Sequence, residues 1–478
     1  MLKNKEQIPF WLFTVGAIIL LILPFLVQDG MFPDGVLYAA VSHNLVEHKG
    51  TIWFPYFDNI MFPFFYQKPP LTFGLQAIFF KFLGHSIYVE RIYSFLTAIT
   101  SAALIVILWR RLDIATEKTK KISWLPVLLW IIVPICCWSY RNNMVENTMG
   151  VFSLLAVIFM YEGSKDKDWK FFYLIGGGVC VILGYLCNGN AALFPLTIPI
   201  LYYVIHRPSY SPFKLTWLML IAILTPLLIY GILIVNNHIY ESIHAYQHER
   251  MLNSIENEAV AHSKFYALAQ LFFVELIGPL IITAAIVLGT KTLAYWKDKE
   301  NAPQLKTAIL FLSIGFSASL LVLFSDEQRV YYLVPSFPYY AIAFAIIAGE
   351  GLMKSLDKFI TTSIFKVFSI LSIVIVGGAL VFSFSMIGKT NRDKEMLHDV
   401  YIFGKLIPPD TVVRVYRPTW QEWQLHNYFV RHFNISLASD TSSAYRYFIN
   451  ERSLHRLPPP AYTKLIEQGE AYDLYKKE

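Results

Sequence analysis

Three residues have the types and settings for group-transfer chemistry: Asp34 in PDGVLYA, Lys68 before Pro69-Pro70, and Glu146 in RNNMVENTMG. Asp34 opens an apparent helix, PDGVLYAAVSHNLVEH, where the dipole and free N–H groups stabilise an anion. It is either a helix-capping acid or a carboxylate held to orient or deprotonate an acceptor. Lys68 is forced toward extended backbone by the proline after it. Its ammonium then suits either a lipid phosphate or plain snorkelling. Glu146 sits in a polar cluster with Arg141, Asn142, Asn143 and Asn147 at the edge of an apolar run. An ionisable group there is a functional candidate, with helix capping as the structural alternative.

Two later segments add candidates. Residues 237–264 hold Glu241, His244, His248 and Arg250, and on a helix the 241/244/248 spacing shares one face. That spacing is compatible with a divalent metal, but a face that presents Arg250 to an anion fits the segment better. Residues 325–338 (SDEQRVYYLVPSFP) place Arg329, Tyr331 and Tyr332 at a span entrance, with Pro335 and Pro338 freeing backbone groups. A tyrosine pair at that depth also fits an aromatic belt. The four cysteines lie in or beside apolar runs without metal-ligand spacing, and they read as packing residues.

The elements that must position these groups are membrane helices. Of 478 residues, 55% are hydrophobic and 15% charged, and mean hydropathy is +0.46. Apolar runs of about 20 residues recur, long enough to span a bilayer. Unbroken runs exclude a β-barrel. The sequence predicts about eleven spans, at most thirteen, near 9–28, 88–109, 123–140, 145–163, 171–187, 191–206, 215–236, 265–290, 306–324, 330–350 and 365–388. A tight reversal is expected at Asn188-Gly189-Asn190, and Leu71–Leu83 reads as a short helix lying in the interface. Lys and Arg gather in alternate loops, which puts the loop 29–87 and everything after 389 outside the cytoplasm. The division expected is a membrane domain 1–389 that includes the loop 29–87, and a small soluble α/β domain 390–478. Within the latter, Thr411–Tyr416 reads as a strand and Ala461–Gln468 as helix-like. No basic tail for nucleic acid and no nucleotide-binding glycine loop is present.

In order and spacing these motifs resemble the GT-C superfamily of polyprenyl-phosphate-sugar glycosyltransferases. The resemblance is nearest to the bacterial lipid A aminoarabinose transferases and the protein O-mannosyltransferases, and it covers roughly residues 9–350. It is carried by Asp34 and Tyr38 in PDGVLYA, by KPPLTFGLQAIFFKFLGHS, by Arg91 in VERIYS, by Glu146, and by Ser325–Pro338. The resemblance implies an all-α polytopic GT-C-like membrane enzyme of the inner membrane, with its site and C-terminal domain outside the cytoplasm. It implies transfer, with inversion, from a polyprenyl phosphate (undecaprenyl in a bacterium) to a lipid, glycan or protein acceptor. Asp34 and Glu146 would be catalytic. Lys68, Arg250, Arg329 and Tyr332 would bind the donor phosphate, and Tyr38, His248 and Tyr331 would contact substrate. Because the leaving group is a lipid phosphate, no metal or other cofactor is required. Three departures stand out. Gly35 replaces a second acid, Gln67 replaces a Glu, and Asn188 falls where a lysine is usual. The competing readings are a lipid or sugar flippase, for which Glu275 inside a span is the main support, and a non-catalytic scaffold.

Overall fold

The computed structural model describes residues 4–114, 119–165, 170–256, 265–297, 301–324, 328–440, 445–466 and 469–477. They pack as two compact units. The first comprises Met1–Pro24, Ser94–Arg141 and Val145–Ser385; the second comprises Phe25–Tyr93, Asn142–Met144 and Met386–Glu478. Composition alone draws a boundary at 389/390, whereas packing groups the first loop with the C-terminal residues.

The first unit is helical. Among the described residues, eight helices are long and apolar enough to cross a membrane, or up to ten if each of two bent pairs is one span. One bent pair is Thr119–Ile131 with Pro134–Arg141, at 77°. Its second helix begins at a proline, which suits a first turn. The buried Glu275 carboxylate accepts from Ile135 N–H at 2.8 Å, so it satisfies a backbone donor freed at the bend. This accounts for an acid inside a span without any transport role.

The expected reversal at residues 188–190 is present inside the run Lys170–His206. Asn188 donates to Glu146 at the start of the helix Val145–Ser164 (3.1 Å). Tyr202 packs edge-on against Tyr161 near that helix's end, and Tyr210 bonds the Ser164 carbonyl at 3.2 Å. The chain from 188 to 202 therefore retraces the helix it has just passed. Gly189 makes the turn with φ +69°, and a Cβ there would fall 2.1 Å from the Tyr246 hydroxyl.

The second unit begins with the first-loop helix Pro33–Val46 and the helix Leu71–Leu83, whose expected bounds are observed. Pro70 takes the N-cap position of the latter. Phe73 lies by Tyr38, ring centroids 5.9 Å apart, and Phe80 by His43 at 5.5 Å. Both partner numbers rise together, so the helices run parallel. Between them Ser42 donates to Gln76 at 3.0 Å.

Residues 386–478 supply a five-stranded sheet in the order β2-β1-β3-β5-β4. Its strands are β1 Val412–Val415, β2 Ser436–Ala438, β3 Tyr447–Glu451, β4 Tyr462–Lys464 and β5 Tyr472–Lys477. β1 pairs in parallel with β2 and β3, while β5 pairs antiparallel with β3 and β4. The helix-like reading of Ala461–Gln468 is overturned where it is described. Tyr462–Lys464 is a strand following three prolines, and it pairs with the exposed edge of β5, a distant demand that local periodicity does not reveal.

The helix Trp423–Phe433 lies against the first-loop helix. The first-loop helix Pro33–Val46 is buried without interruption from Gly35 to Asn44. Its polar residues are spent inward; Asn44, for example, donates to the Phe57 carbonyl at 2.8 Å. The contact is fixed by charge. Arg431 bonds Glu90 (2.8 Å) and the Ser86 carbonyl (3.0 Å), with its guanidinium over the Phe80 ring. Arg91 reaches Asp29 at 3.5 Å and the Gln28 carbonyl at 3.1 Å. Tyr401 donates to the same Asp29 at 2.6 Å. Arg91, which matches the resemblance, thus has a structural task.

Two predictions follow from this packing. Replacing Arg431 by Met removes the nearer partner of the buried Glu90 carboxylate and leaves it only Arg91, at 3.4 Å, which costs about 3 kcal/mol, and the added Glu90→Gln change restores part of it. Thermal unfolding in detergent reads both. Burial also holds two histidines neutral. His43 is pushed down to about 3, first by burial and then by Arg431, and His426 to about 4 by burial. Their stabilisation is complete above the unfolded value of about 6.5 and is lost as pH falls toward those native values. By pH 5 each contributes a loss of about 2 kcal/mol. A protease-susceptibility profile of residues 386–478 that stays flat from pH 7 to pH 5 excludes this.

Candidate active site

The second unit holds Asp34, Tyr38 and Lys68. Pro33 is the first residue of its helix and Asp34 the second, with Phe32 at the N-cap. Asp34 is therefore a first-turn acid, not the cap itself. Lys68 stands three residues before the parallel helix Leu71–Leu83. Since Tyr38 meets Phe73 and the helices run in one direction, the half-buried Asp34 and Lys68 lie toward the same end of the pair. Both helix N-termini, the positive ends of their dipoles, point there too. A carboxylate, an ammonium and two helix starts suit a phosphate-bearing ligand beside an acceptor that needs orienting.

The chain around Asp34 is tied on every side. Phe32 N–H donates to the Asn142 side chain at 3.0 Å, and Asn143 donates to the Gly35 carbonyl at 3.1 Å. Gln76 donates to Asn143 at 2.8 Å and so links in the parallel helix. From the C-terminal sequence, Gln424 donates to the Met31 carbonyl (2.8 Å) and Asn427 to the Pro33 carbonyl (2.9 Å). Gln424 and Asn427 belong to no motif, and the sequence carries only their shared helix face with Tyr428 and Arg431 as a signal. Gly35 now has a reason. A Cβ there would lie 2.0 Å from the Asn142 carbonyl oxygen, so the second acid that the resemblance expects has no room.

The first unit holds the other candidates. Glu146, fully buried, is the second residue of its helix. Asn188, standing where a lysine is usual, bonds its carboxylate as a neutral amide. Arg329 is exposed at the N-cap of a short 3-10 run, Val330–Ser336, and Tyr332 N–H donates to the Arg329 carbonyl at 3.1 Å. Tyr331 is buried and stacks on Trp138, 5.6 Å between centroids. His248 is exposed on the helix Asn237–Glu256, its ring 6.3 Å from His244. The Arg250 side chain and residues 325–327 lie outside the described set.

Among the described residues, His43, Glu47 and His85 bring possible metal ligand atoms within 4.8 Å of one another. The two rings already face each other, Nε2 to Nδ1 at 2.5 Å, and the Glu47 carboxylate lies 3.5 Å from His85.

Comparison with known proteins bears on this arrangement. Residues 67–234 match the family model described as dolichyl-phosphate-mannose-protein mannosyltransferase. A 185-residue stretch is 25% identical to the undecaprenyl phosphate-alpha-4-amino-4-deoxy-L-arabinose arabinosyl transferase of Wigglesworthia glossinidia brevipalpis. It covers 38% of this chain and spans 31% of that protein. In structure, the chain is similar to ArnT from Cupriavidus metallidurans bound to undecaprenyl phosphate, with TM-score 0.64, 11% identity and 97% of each chain covered. It is also similar to the oligosaccharyltransferase AglB of Archaeoglobus fulgidus, in complex with an inhibitory peptide and a dolichol-phosphate. There the TM-score is 0.51, with 11% identity over 95% of this chain and 70% of that one. The GT-C-like fold expected from the sequence is the fold observed.

The packing at Gly35 yields a direct test. Gly35→Ala forces the Asn142 backbone to move and destabilises by about 1–3 kcal/mol. Thermal unfolding of the purified variant measures this; an unchanged midpoint means the close approach is absent.

Proposed function

We propose that this chain is an integral-membrane glycosyltransferase that takes a sugar from a polyprenyl phosphate and passes it to an acceptor outside the cytoplasm. The observation that carries this reading is the shared end of the two parallel helices, with Asp34 and Lys68 there. It occurs in a fold that aligns over 97% of its length with a transferase crystallised with undecaprenyl phosphate.

In the proposed reaction an acceptor oxygen forms a bond to the anomeric carbon as the bond from that carbon to the phosphate oxygen breaks. The lipid phosphate leaves as a monoester anion, and Lys68 stabilises its growing charge. A hydroxyl acceptor gives its proton to the Asp34 carboxylate; a phosphate acceptor needs only orientation. Attack from the face opposite the leaving group inverts the centre. Glu146 is proposed as the second acid, engaging the sugar. Arg250, Arg329 and Tyr332 are proposed donor-phosphate ligands, with Tyr38, His248 and Tyr331 as substrate contacts. No metal is needed in this scheme. The proposed location is a bacterial inner membrane with the site facing the periplasm, where undecaprenyl phosphate would be the carrier. Lipid A, a glycan or a protein are the acceptor classes.

Asp34→Asn should abolish transfer while leaving expression and unfolding unchanged. Mass spectrometry of envelope lipids and glycans, comparing the wild type with this variant, identifies the product as the species that disappears. Full transfer by Asp34→Asn rejects the assignment. Lys68→Ala removes a charge-assisted bond worth about 1.5–3 kcal/mol, so binding of undecaprenyl phosphate should weaken roughly 10–100-fold. Unchanged binding removes Lys68 from the phosphate site.

A further inference from the structure

We infer that the C-terminal domain is a working part of the active site: one face of its helix Trp423–Phe433 positions Asp34. This rests on the reading of Asp34 as the acceptor-facing acid. Gln424, Asn427 and Tyr428 are spaced i, i+3 and i+4, so they share a helix face. Gln424 bonds the Met31 carbonyl and Asn427 the Pro33 carbonyl, at 2.8 and 2.9 Å. Tyr428 accepts from Met31 N–H at 3.2 Å and donates to Asp393 at 3.0 Å. The residues gripped are the three positions before Asp34, with Phe32 held from Asn142.

The choice of side chains is informative. Gln424, Asn427 and Tyr428 are 7%, 1% and 1% exposed. The amide oxygens of Gln424 and Asn427 are buried without a hydrogen-bond partner. Leu or Met would fill the same volumes without stranding a buried acceptor, so packing alone does not call for amides. What an amide adds is direction: a donor aimed at one carbonyl fixes the path by which the chain enters its helix. Asp34 is the second residue of that helix, and its orientation follows from the entry path. Met31 precedes the helix, and its carbonyl lies outside the intrahelical ladder. The clamp is therefore additional to helix formation. Gln424, Asn427 and Tyr428 are positioning residues that act through Asp34.

The test uses full-length protein reconstituted in liposomes made from the source cell's envelope lipid extract, which supplies donor and acceptor. The product followed is the one lost in Asp34→Asn. Asn427→Leu and Gln424→Met keep volume and delete the donors. Each should lower the maximal rate 10–100-fold, while the extract concentration for half-maximal rate and the affinity for undecaprenyl phosphate stay within twofold. Phe448→Leu in β3 serves as a control, since Phe448 is buried against Tyr416, Tyr462 and Tyr475 and lies outside the core cluster that includes Met31. It should lower the unfolding temperature at least as much and leave the rate within twofold. If Asn427→Leu fails to fold, Gln424→Met and Tyr428→Phe carry the test. Rates that merely track unfolding temperature across all variants, Phe448→Leu included, overturn the inference. Transfer that survives in Asp34→Asn overturns the underlying reading instead, so the two failures are distinct.

Discussion

A single buried ion pair, Glu90 with Arg431, organises the part of the molecule that carries the first loop. Both side chains are nearly inaccessible, and 341 residues separate them in sequence. Two charges withdrawn from water are tolerated only when their remaining hydrogen-bonding groups are met. Here the guanidinium also meets the Ser86 carbonyl and the Phe80 ring, only its Nε lacking a partner, while Arg91 lies beside the Glu90 carboxylate and Asp29. Because such a pair works in one geometry only, it fixes where the helix Trp423–Phe433 rests on the first loop. That placement brings Gln424 and Asn427 to the carbonyls ahead of Asp34.

The membrane helices obey a different constraint. Backbone groups in lipid must be satisfied internally, so each break in a helix needs a local remedy. Glu275 supplies one by accepting from Ile135 at a 77° bend. Asn188, at the reversal in Lys170–His206, is engaged by Glu146. The buried acids inside these spans therefore have partners in the helix framework, and no chain of acids across the bilayer is needed to explain them. This is why the flippase reading loses its main support.

Much of this was legible in the sequence because its causes are local. The spans follow from apolar length, the helix Leu71–Leu83 from Pro69-Pro70 ahead of a short apolar run, and the reversal from Asn-Gly-Asn. The candidate acids were legible because each sits at the start of an apolar helix. Gly35 was visible only as a departure from a pattern. Its cause, the Asn142 carbonyl, lies more than a hundred residues away. The full burial of the first-loop helix was hidden for the same reason: a helix from the far end of the chain lies against it. The strand at Tyr462–Lys464 was likewise hidden, since a three-residue strand exists only through the edge it joins.

The sequence by itself determined the class of the protein, its membrane helices and the kinds of group available for chemistry. Hydropathy, proline placement and charge bias act over a few turns of chain and can be read in one dimension. Tertiary structure alone decided that Asp34 and Lys68 share one end of a parallel helix pair, that Gly35 admits no side chain, and that Gln424, Asn427 and Arg431 hold the first loop. Those outcomes depend on directional hydrogen bonds and buried charges between residues hundreds of positions apart, and no local pattern encodes them.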